Sequence, residues 1–212
     1  MKENLTELVF ILDRSGSMHG KEQDVIGGFN NLLDKQKGIE GEAFVTTVLF
    51  DSDYEKLYDR VDLREIPALT DSTYSVRGTT ALLDAVGKTI DDVGARLSQT
   101  PEPERPAKVI FVITTDGMEN ASREYSAEQV KNMVEHQKEK YSWEFLFLGA
   151  DIDAFGAACR IGIAQDRSAR FRNNARGWAA GYKAMDSFIS SARMCSPCSD
   201  WKASIDEDEQ EQ

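Results

Sequence analysis

The chain has 212 residues, 41% hydrophobic and 29% charged, enough for one globular core of ordinary size. Its formal net charge is −12 with no lysine- and arginine-rich run, which argues against nucleic acid and anionic membrane as partners, because binding phosphate needs a basic face. No apolar stretch approaches a membrane span, Met1-Lys2-Glu3-Asn4 opens no signal-peptide core, and three cysteines make no disulfide framework, so a cytoplasmic location is expected.

The first predicted element is the apolar run Leu8-Val9-Phe10-Ile11-Leu12, which reads as a strand covered on both faces. It leads directly into Asp13-Arg14-Ser15-Gly16-Ser17. Val25, Ile26, Phe29, Leu32 and Leu33 then repeat at helical spacing. Residues 43–50 form a second strand, and the short link Asp51-Ser52-Asp53 suits a hairpin, which makes 54–61 an antiparallel edge strand. Thr79 opens the next helix, with Leu82, Val86, Ile90, Val93 and Leu97 on one face.

Val109-Ile110-Phe111-Val112-Ile113 is another continuous apolar strand, closely followed by Asp116. Ser126 and Gln129 have capping-box spacing at the start of a third helix, and Tyr125 is placed to staple onto Val130. Residues 145–148 read as a strand. A short helix beginning near Asp151 or Asp153 carries Phe155 and Cys159, with Cys159 on its apolar face. The last helix starts near Asn173 or Asn174 and aligns Trp178, Tyr182, Met185 and Ile189. Residues 1–194 are expected to form one domain. Residues 195–212, which contain Pro197 and end in a run of Asp, Glu and Gln, read as a disordered acidic tail.

Alternating strands and helices with fully apolar strands predict an α/β fold. It is a Rossmann-like, doubly wound, mostly parallel sheet with one antiparallel edge strand and helices on both faces. Ligands of such sheets bind beyond the carboxyl ends of the strands, where the strand order reverses. Asp13 and Asp116 each follow a strand's carboxyl end. Asp13, Ser15 and Ser17 lie two apart in an extended turn and project the same way, and Thr79 and Asp116 add a hydroxyl and a second carboxylate. Five oxygen donors of this kind suit a hard divalent cation. Mg²⁺ is the first choice and Mn²⁺ or Ca²⁺ the alternatives, with coordination positions left for water or for an Asp or Glu of another protein.

Asp13-x-Ser15-x-Ser17, Gly78-Thr79 and Thr115-Asp116-Gly117 together resemble the metal-ion-dependent adhesion site (MIDAS) of von Willebrand factor A (VWA) domains, over about residues 5 to 192. The resemblance implies that Ser15, Ser17 and Thr79 are direct metal ligands and that Asp13 and Asp116 bind directly or through water. It implies a metal-dependent protein–protein interaction module of the stand-alone bacterial or phage type, not an enzyme. Such modules act beside ATPase, kinase or phosphatase complexes.

The alternative is a Mg²⁺-dependent phosphohydrolase with Asp13 as nucleophile. It lacks an acid two residues later, where Ser15 stands, and Lys108 lies at the wrong end of its strand. Asp51, Asp53 and Asp151 are candidates to border the metal, Glu119 and Asn120 to rim it. His19 and His136 read as surface imidazoles. Cys195-x-x-Cys198 lacks the two further ligands that a structural zinc site needs.

Overall fold

A computed structural model describes residues 1–194 and 200–210. Strand β1 (Lys2–Asp13) lies at the centre of a six-stranded sheet with β2 (Glu42–Phe50), β3 (Tyr54–Asp62), β4 (Pro106–Thr115), β5 (Glu144–Ala150) and β6 (Ser168–Phe171), in the order β3-β2-β1-β4-β5-β6. Only β3 runs antiparallel, and it is the edge strand expected after the short Asp51–Asp53 link.

Alternation along β1 divides the core. Leu8, Phe10 and Leu12 face helices α1 (Glu22–Lys37) and α5 (Ala175–Met194). Val9 and Ile11 face α2 (Leu82–Gln99), α3 (Ala127–Tyr141) and α4 (Ala154–Arg160). Both faces are covered, so the middle stretches of the central strands, Leu8–Leu12 and Val109–Ile113, are continuous apolar blocks. Helix α1 approaches α5 closely because Gly28 lies against the Tyr182 ring, in the space a Cβ would occupy. The Ser126–Gln129 capping box closes the start of α3 with both reciprocal bonds formed.

Two expectations are corrected, and one strand is new. The acidic C-terminal segment is ordered over 200–210, where α6 (Ala203–Gln210) packs on the α1/α5 side. Trp201 is buried edge-on against Phe188, its Nε1 donates to the Asp166 carbonyl at 2.9 Å, and Ser204 Oγ donates to the Ala180 carbonyl at 2.9 Å. Asp208 is buried because the Arg172 and Arg176 guanidiniums neutralise it, each with an Nε about as close as a hydrogen bond, 2.8 and 2.9 Å. Cys195, Cys198 and the last two residues lie outside the described residues. Cys159 is exposed, since α4 turns Ala154 and Ala158 toward the sheet. Strand β6 was not anticipated, because Ser168-Ala169-Arg170-Phe171 is too short and too polar to show a period.

Strand order reverses between β1 and β4. Leu12 is in register with Thr114, so Asp13 emerges beside Thr115 and Asp116 at the carboxyl end of the sheet. The crevice there holds the candidate site.

Candidate metal centre

The turn after β1 is built around Asp13. Its Oδ1 accepts the Ser15 amide at 2.6 Å, and its Oδ2 accepts the Thr115 hydroxyl at 2.5 Å. The Asp13 carbonyl takes the buried Tyr74 hydroxyl at 2.5 Å. Ser15 then leads into a single 3₁₀ turn, Gly16–Met18, which sets the Ser15 and Ser17 hydroxyl oxygens 3.1 Å apart. Ser17 Oγ donates to Asp116 Oδ1 in a short hydrogen bond across the β1–β4 crevice. Four of the five residues singled out in the sequence thus converge.

Thr79 does not join them. It is exposed, and its neighbour Thr80 is the buried threonine. A Cβ on Gly117 would lie 2.9 Å from Thr80 Oγ1 and 3.2 Å from Ser17 Oγ, so these two hydroxyls flank the same glycine beside Asp116. Thr80 is fixed by Asn120, whose Oδ1 accepts the Thr80 amide at 3.0 Å and whose own amide donates to the Thr80 carbonyl at 3.0 Å. Gly78, at φ +70°, turns the chain so that its carbonyl meets the Gly16 amide at 3.1 Å, tying this segment to the first loop. The oxygen set is therefore Asp13, Ser15, Ser17, Thr80 and Asp116.

The other candidates around the crevice are committed elsewhere. Glu119 Oε2 accepts the Leu83 amide, and Ser122 Oγ the Asp84 amide, which satisfies the opening turn of α2 where no side-chain cap of its own exists. Asp51 is buried between Arg14 and Arg77. Asp53 and Asp151 are exposed, as are His19 and His136.

Asp84 accepts the amides of Arg123, Glu124 and Tyr125 and so stitches the loop after the site onto α2. Burial pushes its carboxyl up, but these amides outweigh it and hold the group below the usual carboxylate range. The stability it contributes is present above an ordinary aspartate pKa of about 4 and is lost as pH falls through the lower folded value. Asp84→Asn should therefore lower stability at neutral pH by about 1–3 kcal/mol for the bonds weakened, and flatten the loss of stability as pH falls below about 4. A wild-type slope kept intact in the variant would refute this assignment.

Charge decides what the crevice suits. Other buried carboxylates are compensated: Glu7 is held by Arg60 and Arg96, Asp51 by Arg14 and Arg77, and Asp84 by three backbone amides. Among the described residues no lysine, arginine or histidine pairs with Asp13 or Asp116 in an ion pair. Burial pushes the Asp13 carboxyl up to about 6, and repulsion from Asp116 adds to this, against the hydrogen bonds from Thr115 and Ser15. Two carboxylates without counter-charge, with three hydroxyl oxygens around them, fit a hard dication. Among the described residues no group of three or more His, Cys, Asp or Glu is placed to hold a metal, so hydroxyls must supply much of any coordination shell.

No family model matches the chain, and no curated protein resembles it in sequence. Solved structures do match. The vWF domain of the type V pili tip protein Mfa5 from Porphyromonas gingivalis aligns over 91% of this chain and 97% of its own, with TM-score 0.63 and 11% identity. Proximal thread matrix protein 1 from the mussel byssus aligns over 91% of this chain, with TM-score 0.61 and 13% identity. This chain spans about half of that protein's length, 47%. The manganese-loaded TRAP protein of Plasmodium vivax aligns over 81% of this chain and 70% of its own, with TM-score 0.55 and 15% identity. A further structure of the mussel protein, with TM-score 0.58 and 16% identity over 89% of this chain and 46% of its own, is described with a zinc occupied MIDAS motif.

Proposed function

We propose that this chain, whose fold is that of the von Willebrand factor A domain, is a metal-dependent protein-interaction module. The observation that carries the reading is the pair of buried carboxylates, Asp13 and Asp116, without cationic partners among the described residues and set among the Ser15, Ser17 and Thr80 hydroxyls. Ser15, Ser17 and Thr80 would hold a divalent cation, Mg²⁺ in the first instance, through neutral oxygens. Asp13 and Asp116 would contribute charge directly or through water. Bound there, the cation supplies an electron-poor centre that takes a carboxylate from a partner. On a protein of net charge −12 this is a local attractive spot for an acidic residue that the chain as a whole repels.

The partner supplies an Asp or Glu. A cytoplasmic complex with an ATPase, kinase or phosphatase is the setting we propose. The pilus and byssal proteins of similar fold make an extracellular assembly its competitor. The phosphohydrolase reading gains no support. Lys108 Nζ is spent on the Arg193 carbonyl, and His19 lies beside Glu22, at 3.5 Å.

Calorimetry with Mg²⁺ and Mn²⁺ tests the proposal. Wild type should bind saturably and more tightly with acetate present. Asp116→Ala should abolish binding, Thr80→Ala should weaken it about tenfold, and Thr79→Ala should leave it unchanged. An acetate effect that survives EDTA would sink the metal-dependent reading, and equal losses at the two threonines would sink the ligand assignment.

A further inference from the structure

Asp116 has a second partner, from a segment with no periodic pattern. Its Oδ1 takes the Ser17 hydroxyl, while its Oδ2 accepts the Asn173 side-chain amide at 3.0 Å. Asn173 Oδ1 in turn accepts the indole Nε1 of Trp178 at 3.0 Å. Both ends of this amide are therefore used, and the bonds fix its orientation, since only nitrogen can face the carboxylate and only oxygen the indole. Trp178 is buried in the α1/α5 core, edge-on to Phe171.

The segment that carries Asn173 is clamped on both sides. Asn174 Oδ1 accepts the Gly177 amide at 2.9 Å, and Gly177 lies against the Arg172 backbone in space a Cβ would need. On the other side Arg172 Nε donates to Asp208 Oδ2 at 2.8 Å, and a second Arg172 nitrogen donates to the Asp208 carbonyl. Asp208 belongs to α6, the acidic helix, and is buried there.

We infer that Asn173 is a positioning residue of the metal centre, which orients Asp116 and joins it through Trp178 to α5 and through Arg172 to Asp208 of α6. The inference rests on the metal reading for its effect on affinity, but the relay itself exists without metal. A carboxylate bonded on one oxygen by Asn173 is held with the other toward Ser17 and the crevice. Outer residues that orient metal ligands typically change affinity by tenfold or more when removed. The acidic C-terminal helix acquires a role in this way: it anchors the segment that aims a ligand 92 residues earlier in sequence, Asp208 acting on Asp116 with no contact between them.

The test uses the full chain labelled with ¹⁵N, in which the three tryptophan indoles report separately. Without metal, Asp116→Ala should shift the Trp178 indole resonance and leave that of Trp143, in the core on the opposite face of the sheet, in place. In an Asn173→Ala background the same change should no longer move Trp178. Mg²⁺ should shift Trp178 in wild type. Asn173→Ala should weaken Mg²⁺ binding about tenfold. Trp178→Phe, which keeps the packing and removes the donor, and Asp208→Asn should each weaken it several-fold. The Asn173→Ala/Asp208→Asn pair should fall short of the product of the single effects.

A Trp178 resonance indifferent to Asp116→Ala, or metal affinity indifferent to both Asn173→Ala and Trp178→Phe, overturns the inference. Wild type that binds no metal while Trp178 still responds to Asp116→Ala would overturn the metal reading and uphold the relay.

Discussion

Asp51→Ala should destabilise the protein by about 3–5 kcal/mol, the cost of leaving a buried guanidinium without its main counter-charge. Asp51 has essentially no exposed surface and accepts Arg14 Nε at 2.8 Å, Arg77 Nε at 3.0 Å and the Asp53 amide at 2.7 Å. Arg14 is itself buried. Its other partner is the half-exposed Glu55, and its remaining terminal nitrogen has no hydrogen-bond partner among the described residues. Burial pushes the Asp51 carboxyl up, but the Asp53 amide and the Arg77 and Arg14 guanidiniums outweigh it and hold the group below the usual range. Its contribution is therefore complete at neutral pH and is lost only as pH falls through that lowered value.

For a chain of this size the loss corresponds to roughly 6–20 °C in melting temperature. The effect should reach the metal centre. The Asp51 carbonyl takes the Ala81 amide at 2.9 Å, and the Arg14 carbonyl takes the Arg77 amide at 2.8 Å, so this cluster sets the segment bearing Thr80 beside the first loop. Asp51→Ala combined with Arg14→Met should recover much of the stability, because no charge is then left buried alone. A single variant that loses less than about 1 kcal/mol, measured by denaturant unfolding, would mean that Arg14 escapes to water.

What the sequence made legible follows from how local each signal is. Asp13, Ser15, Ser17 and Asp116 could be read because each closely follows a continuous apolar run, Leu8–Leu12 or Val109–Ile113, which marks both the element and its end. Thr79 and Thr80 could not be told apart by the same means. They are chemically identical neighbours, and the choice is made by Asn120, which clamps the Thr80 backbone from 40 residues away. Asn173 lies in a polar stretch with no period, 57 residues from the carboxylate it orients. The tail misled for an electrostatic reason. Composition counts Asp206–Glu211 as mutual repulsion, whereas folding brings Arg172 and Arg176 onto Asp208 and seats Trp201 and Ile205, four residues apart, in the core. Charge pairing between distant segments is invisible to a count.

Asp13→Asn should separate binding from stability. Metal affinity should fall about a hundredfold, because the site keeps one carboxylate of two and hard-cation affinity follows ligand charge. The metal-free protein should lose nothing. Asparagine is nearly isosteric, its carbonyl can accept the Ser15 amide, and its nitrogen faces Thr115 Oγ1. That hydroxyl can reverse its bond, accepting from asparagine and donating to the Gly117 carbonyl 3.0 Å away. Meanwhile a buried charge beside a second carboxylate is gone, which removes a desolvation cost that no cation among the described residues offsets. In wild type, metal at a hundred times its dissociation constant should stabilise by about 2.7 kcal/mol, a rise of several degrees in melting temperature. The variant should melt no lower than metal-free wild type and, at the same Mg²⁺ concentration, rise by only about a degree. If it instead melts well below wild type without metal, Asp13 serves the fold through its hydrogen bonds, and the buried negative charge is not a feature held in reserve for a cation.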